Sequence, residues 1–150
     1  MGSTTQELIA LLEARIQQEA PAWRRSLAIP PPCYQEMSPE VVAYEAEAGR
    51  LTLRFPVEER WLNPAGVMQG GFLNAAVDNT FGPLSYLVAR PSATTHMHTA
   101  FIRPVTREDG YIEVTARVVA QTRQQIHLAA EVRNPRGKLV AVVTASQTFL

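Results

Sequence analysis

From Tyr111 onward apolar and polar residues change places at nearly every step. Ile112, Val114, Ala116 and Val118 alternate with Glu113, Thr115 and Arg117, and Ile126, Leu128, Ala130 and Val132 repeat the pattern. Successive side chains of a strand point to opposite faces, so a period of two predicts strands that bury one face. Asp109-Gly110 and Asn134 to Gly137 read as turns, and Lys138 to Leu150 as a final strand. Upstream, residues 41–57 read as two strands meeting at Ala48-Gly49, the second alternating Leu51, Leu53, Phe55 and Val57 against Thr52 and Arg54. A half-apolar sheet needs a cover, and the apolar stretch from Gly71 to Ala89 is a helix able to supply it. A first helix is expected over residues 5–18, where Leu8, Ile9, Leu11, Leu12 and Ile16 share a stripe, with Thr4 or Thr5 as cap and Pro21 as stop. The segment from Pro21 to Glu40, with three prolines at 30–32, is expected to be an extended surface connection. The predicted class is α+β, an antiparallel sheet on a single central helix.

Composition narrows the partners. A chain of 150 residues, 46% of them hydrophobic, makes one domain of ordinary core size. Fourteen basic and 14 acidic residues cancel to a net charge of zero, which argues against a nucleic-acid partner. Lys138 is the only lysine, so the basic residues are nearly all arginine. Cys33 is the only cysteine, which excludes an internal disulfide and suits a reducing compartment. Glu7, Glu13 and Glu19 interrupt the first helix, unlike the centre of a signal peptide, and no apolar run is long enough to cross a bilayer. A soluble cytoplasmic protein with no membrane partner is expected.

The chemistry concentrates in NPAGVMQGGFLNAAVDNTFGPL, residues 63–84. Gly70 and Gly71 fall where the central helix should start, and a helix start leaves N–H groups unpaired and carrying partial positive charge. Without a Cβ at either position a carbonyl oxygen could approach those amides closely, as in an oxyanion hole. The same glycines could simply permit a tight turn. Asp78 sits among Ala75, Ala76, Val77 and Phe81, which predicts burial, and a buried carboxylate needs a partner. It is either a structural acceptor held by Asn74, Asn79, Thr80 or an arginine, or a carboxylate poised as base or nucleophile. Eight residues of helix put Asp78 roughly 12 Å from Gly70 along the axis, too far to share a substrate within one chain. If both act, Asp78 must meet Gly70 of a second copy across a two-fold axis, so a homodimer is expected.

This run, N-x-x-G-x-x-[HQ]-G-G with Asp eight residues after the first glycine of the pair, resembles the hotdog-fold thioesterases, in the branch of the phenylacetate-pathway acyl-CoA thioesterases. Here the positions are Asn63, Gly66, Gln69, Gly70, Gly71, Asp78 and Asn79, and TTHMHTAFIRPV resembles the strand that follows the helix in that family. The resemblance covers residues 41–150, a hotdog domain, with residues 1–40 forming an N-terminal helix and proline-rich connection. It implies an antiparallel sheet wrapped around one long helix and hydrolysis of an acyl-CoA, with coenzyme A as part of the substrate and no separate cofactor. By position, the Gly70 amide would polarise the thioester carbonyl, and Asp78 of the facing subunit would activate water or attack. Asn63 would position the thioester or the carboxylate, and Thr94 would orient the water. Gln69, Gly71, Asn79, Phe72, Phe81 and Met97 are the expected substrate contacts, and a homodimer or a dimer of dimers is the expected assembly. Gln69 stands where much of the family has His and cannot titrate near neutrality.

Other features carry less. His96 and His98 form H-x-H on one strand face, but no third ligand lies at supporting spacing, so no metal site is expected; His127 stands alone. Arg103, Arg107, Arg136 and Lys138 could reach coenzyme A phosphates or be plain surface charge. Trp23 and Trp61 read as packing anchors. A hotdog dehydratase would need a catalytic His between Asn63 and Gln69, and no His precedes Thr95. The alternative to hydrolysis is a non-catalytic acyl-CoA-binding dimer.

Overall fold

The computed structural model describes residues 4–19, 22 and 26–150. The expected stop at Pro21 and anchor at Trp23 lie outside the described residues. Helix α1 (Thr5–Glu19) and helix α2 (Pro32–Glu36) lead into strands β1 (Glu40–Glu45) and β2 (Arg50–Pro56). Helix α3 (Gly70–Val88) then precedes β3 (Ser92–Phe101), β4 (Tyr111–Gln121), β5 (Gln125–Arg133) and β6 (Leu139–Phe149). All six strands pair antiparallel in one sheet of order β1-β2-β4-β5-β6-β3. The two hairpin strands meet through a turn in which the Gly49 N–H donates to the Ala46 carbonyl, and Gly49 takes a φ of +56°. That left-handed backbone is where glycine has least to lose.

The alternation read from β2, β4 and β5 is the burial pattern. Leu51, Leu53, Phe55, Ile112, Val114, Ala116, Ile126 and Val132 are fully buried on the sheet's inner face. Against them α3 lays Leu73, Ala76, Val77, Thr80, Phe81 and Leu84, spaced three and four apart as one helical face requires. Phe81, expected from sequence as a substrate contact, is 0% exposed at the centre of this core in the single chain. Helix α1 opens with a reciprocal cap, the Glu7 N–H donating to Thr4 Oγ1 and the Thr4 N–H to the Glu7 carboxylate. It buries Leu8, Leu12 and Ile16 toward α3, each apolar side chain contributing about 2 kcal/mol.

One correction concerns the proline-rich connection. It is not extended throughout: Pro31 (φ −70°, ψ 153°) caps α2 and Pro32 occupies its first turn. A proline there loses nothing, because the first N–H groups of a helix have no intrahelical acceptor. Helix α3 also starts at Gly70 rather than Gly71. Among the described residues no helix is long and apolar enough to cross a membrane.

Candidate active site

The start of α3 is fixed by the segment before it. Asn63 Oδ1 accepts the N–H groups of Ala65 (2.9 Å) and Val67 (3.2 Å), and Gly66 turns the chain at φ +74°. The Met68 and Gln69 amides donate to the carbonyls of Val105 and Trp61, both at 2.8 Å, which aims the helix axis. The amides of Phe72 and Leu73 both turn back to the Gln69 carbonyl, leaving those of Gly70 and Gly71 without an acceptor among the described residues. A Cβ on Gly70 would lie 2.9 Å from Cζ of Phe101, so a side chain there requires that exposed ring to move; at Gly71 a Cβ would meet nothing. Beside Gly70 opens a groove of about 370 Å³ whose walls include Leu73, Phe101, Ile102 and Arg103. The exposed Gln69 side chain makes no hydrogen bond among the described residues, and Phe72, 39% exposed, stacks on Trp61 at a centroid distance of 5.9 Å.

Two turns along, Asp78 projects from the flank of α3. It is exposed in the single chain, where the sequence predicted burial. Each helical residue rotates about 100° from the last, so apolar sequence neighbours such as Ala76 and Val77 can face the core while Asp78 turns out of it. Its partner is none of the groups weighed from sequence as a structural acceptor's mate. Thr94 Oγ1 donates to Asp78 Oδ1 at 2.7 Å. Thr94 in turn accepts from Gln147 Nε2 (3.1 Å), Gln147 Oε1 accepts from Ser92 Oγ (2.8 Å), and Ser92 lies 2.7 Å from Ser85 Oγ. The direction of the chain is set: because Gln147 donates into Thr94, the single Thr94 proton is free to go only to Asp78. Gln147 is 2% exposed and Ser85 0%, so the far end is anchored in the core while the carboxylate end is open, with Oδ2 unbonded among the described residues.

A bulge makes this geometry. Thr94 pairs with Gln147 and His96 with Ser146, so Thr95 is an extra residue in β3. The phase change puts Thr94, Met97 and Thr99 on the helix side together, opposite the inward residues Gln147, Ala145 and Val143 of β6. Thr99 accordingly donates to Asn74 Oδ1 at 2.6 Å, a second rung between β3 and α3, and half-buried Met97 packs on the core. Sequence reasoning missed Ser85, Ser92 and Gln147. The available signal was a glutamine in the inward register of β6, in step with Val143 and Ala145.

On its other side Asp78 borders a cavity of about 260 Å³ enclosed by α1, residues 26–31, Tyr34 of α2, and α3. Asn79 ties this wall together, its Nδ2 donating to the Cys33 carbonyl (3.4 Å) and to Met37 Sδ (3.4 Å). Burial pushes the Tyr34 phenol up to about 12 and raises that of Tyr86, so both line the cavity as neutral groups.

The remaining candidates lie elsewhere. His96 and His98 are exposed on the outer sheet face, and His127 Nδ1 sits 2.9 Å from Ser146 Oγ there; no cluster of three metal-ligating residues occurs among the described residues. Arg107 pairs with Glu59 (2.6 Å), Arg136 with Asp109 (3.2 Å), and Arg103 donates to the Leu139 carbonyl (2.7 Å), so all three guanidinium groups are engaged.

One long helix wrapped by six antiparallel strands defines the hotdog class. The thioesterase superfamily profile matches residues 65–141, and the chain belongs to that superfamily. Among solved structures, a single-site mutant of the phenylacetic acid degradation protein PaaI from Thermus thermophilus is 26% identical. It superposes with a TM-score of 0.72 over 80% of this chain and 100% of its own. A putative thioesterase of Ralstonia eutropha, related to phenylacetic acid degradation, is also 26% identical, with a TM-score of 0.75 over 92% of this chain and 98% of its own. A Streptococcus mutans protein bound to acetyl-CoA shares the fold at 20% identity and a TM-score of 0.68, over 73% of this chain and 86% of its own. No curated protein matches the chain significantly in sequence.

Proposed function

We propose that the protein hydrolyses an acyl-CoA to the free acid and coenzyme A, at two sites formed between antiparallel α3 helices of a homodimer. The observation that carries this reading is Asp78 held through Oδ1 by Thr94 on the flank of a superfamily helix, where among the described residues Oδ2 has no partner and the Gly70 amide at the helix start has no acceptor. Asp78 Oδ2 takes a proton from water as the water oxygen attacks the thioester carbonyl. The carbonyl oxygen becomes negative against the Gly70 N–H of the opposite copy, because one uninterrupted stretch of α3 separates the two groups by roughly 12 Å. Collapse of the tetrahedral intermediate breaks the C–S bond, and the proton on Asp78 passes to the departing thiolate. Thr94 holds the carboxylate so that one oxygen stays on the strand and the other faces the water. Asn63 acts through the turn it organises ahead of Gly70. Superfamily membership supports thioester cleavage as the reaction class; coenzyme A as the thiol and the dimer are our inferences.

Purified protein incubated with a panel of acyl-CoAs and a free-thiol reagent tests the reading. Thiol release that disappears in Asp78→Asn is the expected result. Retained turnover in that variant overturns the role of Asp78, and ligand-induced thermal stabilisation without turnover favours the acyl-CoA-binding alternative.

A further inference from the structure

Helix α1, residues 26–31 and Tyr34 of α2, all ahead of the residues 65–141 that the superfamily profile spans, build one wall of a cavity that ends at Asp78. Ile9 and Leu12 of α1, Ile29 of the connection and Tyr34 of α2 face Gly82 and Tyr86 of α3 across about 260 Å³. Apart from Asp78, no charged side chain lines this space among the described residues, and its walls are mainly apolar. Resting on the hydrolysis reading above, we infer that this cavity receives the acyl group and that the N-terminal segment selects an uncharged, apolar acyl chain or ring of modest size.

A thioester carbonyl attacked from Asp78 must send its acyl substituent into neighbouring space, and this partly open, mainly apolar cavity adjoins Asp78. Its volume falls just under the roughly 300 to 1,000 Å³ typical of pockets for drug-sized ligands, which suits one short acyl group rather than a long lipid chain. A second carboxylate, as in a dicarboxylic acyl group, would enter a space holding two neutral phenols and no cation, and its desolvation would go uncompensated. Gly82 sets the depth. A Cβ there meets no atom within 4 Å, so the position opens into the cavity rather than against protein.

Substitution at Gly82 therefore changes cavity size with no clash beyond its own helix, where the ring of Pro83 is the one neighbour a new Cβ must accommodate, and Ile29→Ala alters the opposite wall without that strain. The experiment compares kcat/KM for acetyl-, hexanoyl-, decanoyl-, benzoyl- and succinyl-CoA in wild type, Gly82→Leu and Ile29→Ala. Expected is a wild-type preference for hexanoyl- or benzoyl- over succinyl-CoA, the better of the two showing whether the group is a chain or a ring. Gly82→Leu should lower the ratio of that substrate to acetyl-CoA by about tenfold or more, and Ile29→Ala should move the preference toward decanoyl-CoA. Turnover in wild type with ratios unchanged in both variants, or with succinyl-CoA preferred, overturns this assignment and leaves the hydrolysis reading standing. No turnover by wild type on any of these substrates overturns the hydrolysis reading itself.

Discussion

Replacing Thr94 by valine keeps the side chain's shape and removes one hydroxyl, and the hydrogen-bond chain makes its two consequences separable. On the catalytic side, Asp78 loses the donor 2.7 Å from Oδ1. A hydrogen bond to a charged group contributes about 1.5–3 kcal/mol, and the lower end applies here because the pair is exposed, so kcat/KM should fall by about tenfold. On the folding side, Gln147 Nε2 loses its acceptor while remaining buried, at a cost of about 1–3 kcal/mol. A loss of about 2 kcal/mol in a chain of this size lowers Tm by about 4 to 8 °C. Adding Gln147→Leu should then recover most of the stability, because it removes the orphaned amide and Ser92 keeps its contact with Ser85. Activity should not recover. The assays are thiol-release kinetics and calorimetry at one fixed protein concentration, with Thr94→Ser as the rescue that restores both readouts. If Thr94→Val stays within twofold of wild type in kcat/KM, or the double variant regains activity along with stability, the directional chain ending on Asp78 is not what positions the carboxylate.

Two further outcomes follow from single contacts. Gly70→Ala keeps the N–H and places a Cβ 2.9 Å from the exposed Phe101 ring, which can swing aside; stability should change by under about 1 kcal/mol while thiol release falls by about a hundredfold because the methyl displaces the reacting carbonyl, and a variant of normal activity would show that no carbonyl approaches residue 70 closely. Tyr34, held at about 12 against an ordinary 10, keeps its proton more tightly folded than unfolded. Its contribution is complete below pH 10 and is lost as pH rises toward 12, on the order of 2 kcal/mol; urea midpoints should fall more steeply over that window in wild type than in Tyr34→Phe, and parallel curves would contradict it.

Regular periodicity made the architecture legible. The alternation in β2, β4 and β5 and the stripe on α1 each repeat over several residues, so burial of one face is the common solution and the sheet-on-helix layering follows. The Gly70 to Asp78 spacing likewise placed both groups on one helix. What escaped depends on rotation and register, which a linear reading does not carry. Asp78 and Phe81 are three residues apart, yet only the ring fills the core, while the carboxylate, expected to be buried with it, faces solvent. Ser92 and Gln147 meet only because β3 and β6 pair, 55 residues apart in sequence, and the bulge at Thr95 has no compositional mark. Pro32 looked like an obstacle to helix and instead begins one.

The extra residue in β3 also limits how this strand can vary over time. Thr94 and Thr99 are an odd number of positions apart, so only the displaced Thr95 lets both hydroxyls look toward α3. Losing that residue would straighten the strand and send one threonine outward, whereas single side-chain replacements leave the phase intact. Length, more than identity, is the inherited quantity in this stretch, and insertions or deletions should be admitted at the hairpin ends of the sheet long before they are admitted here.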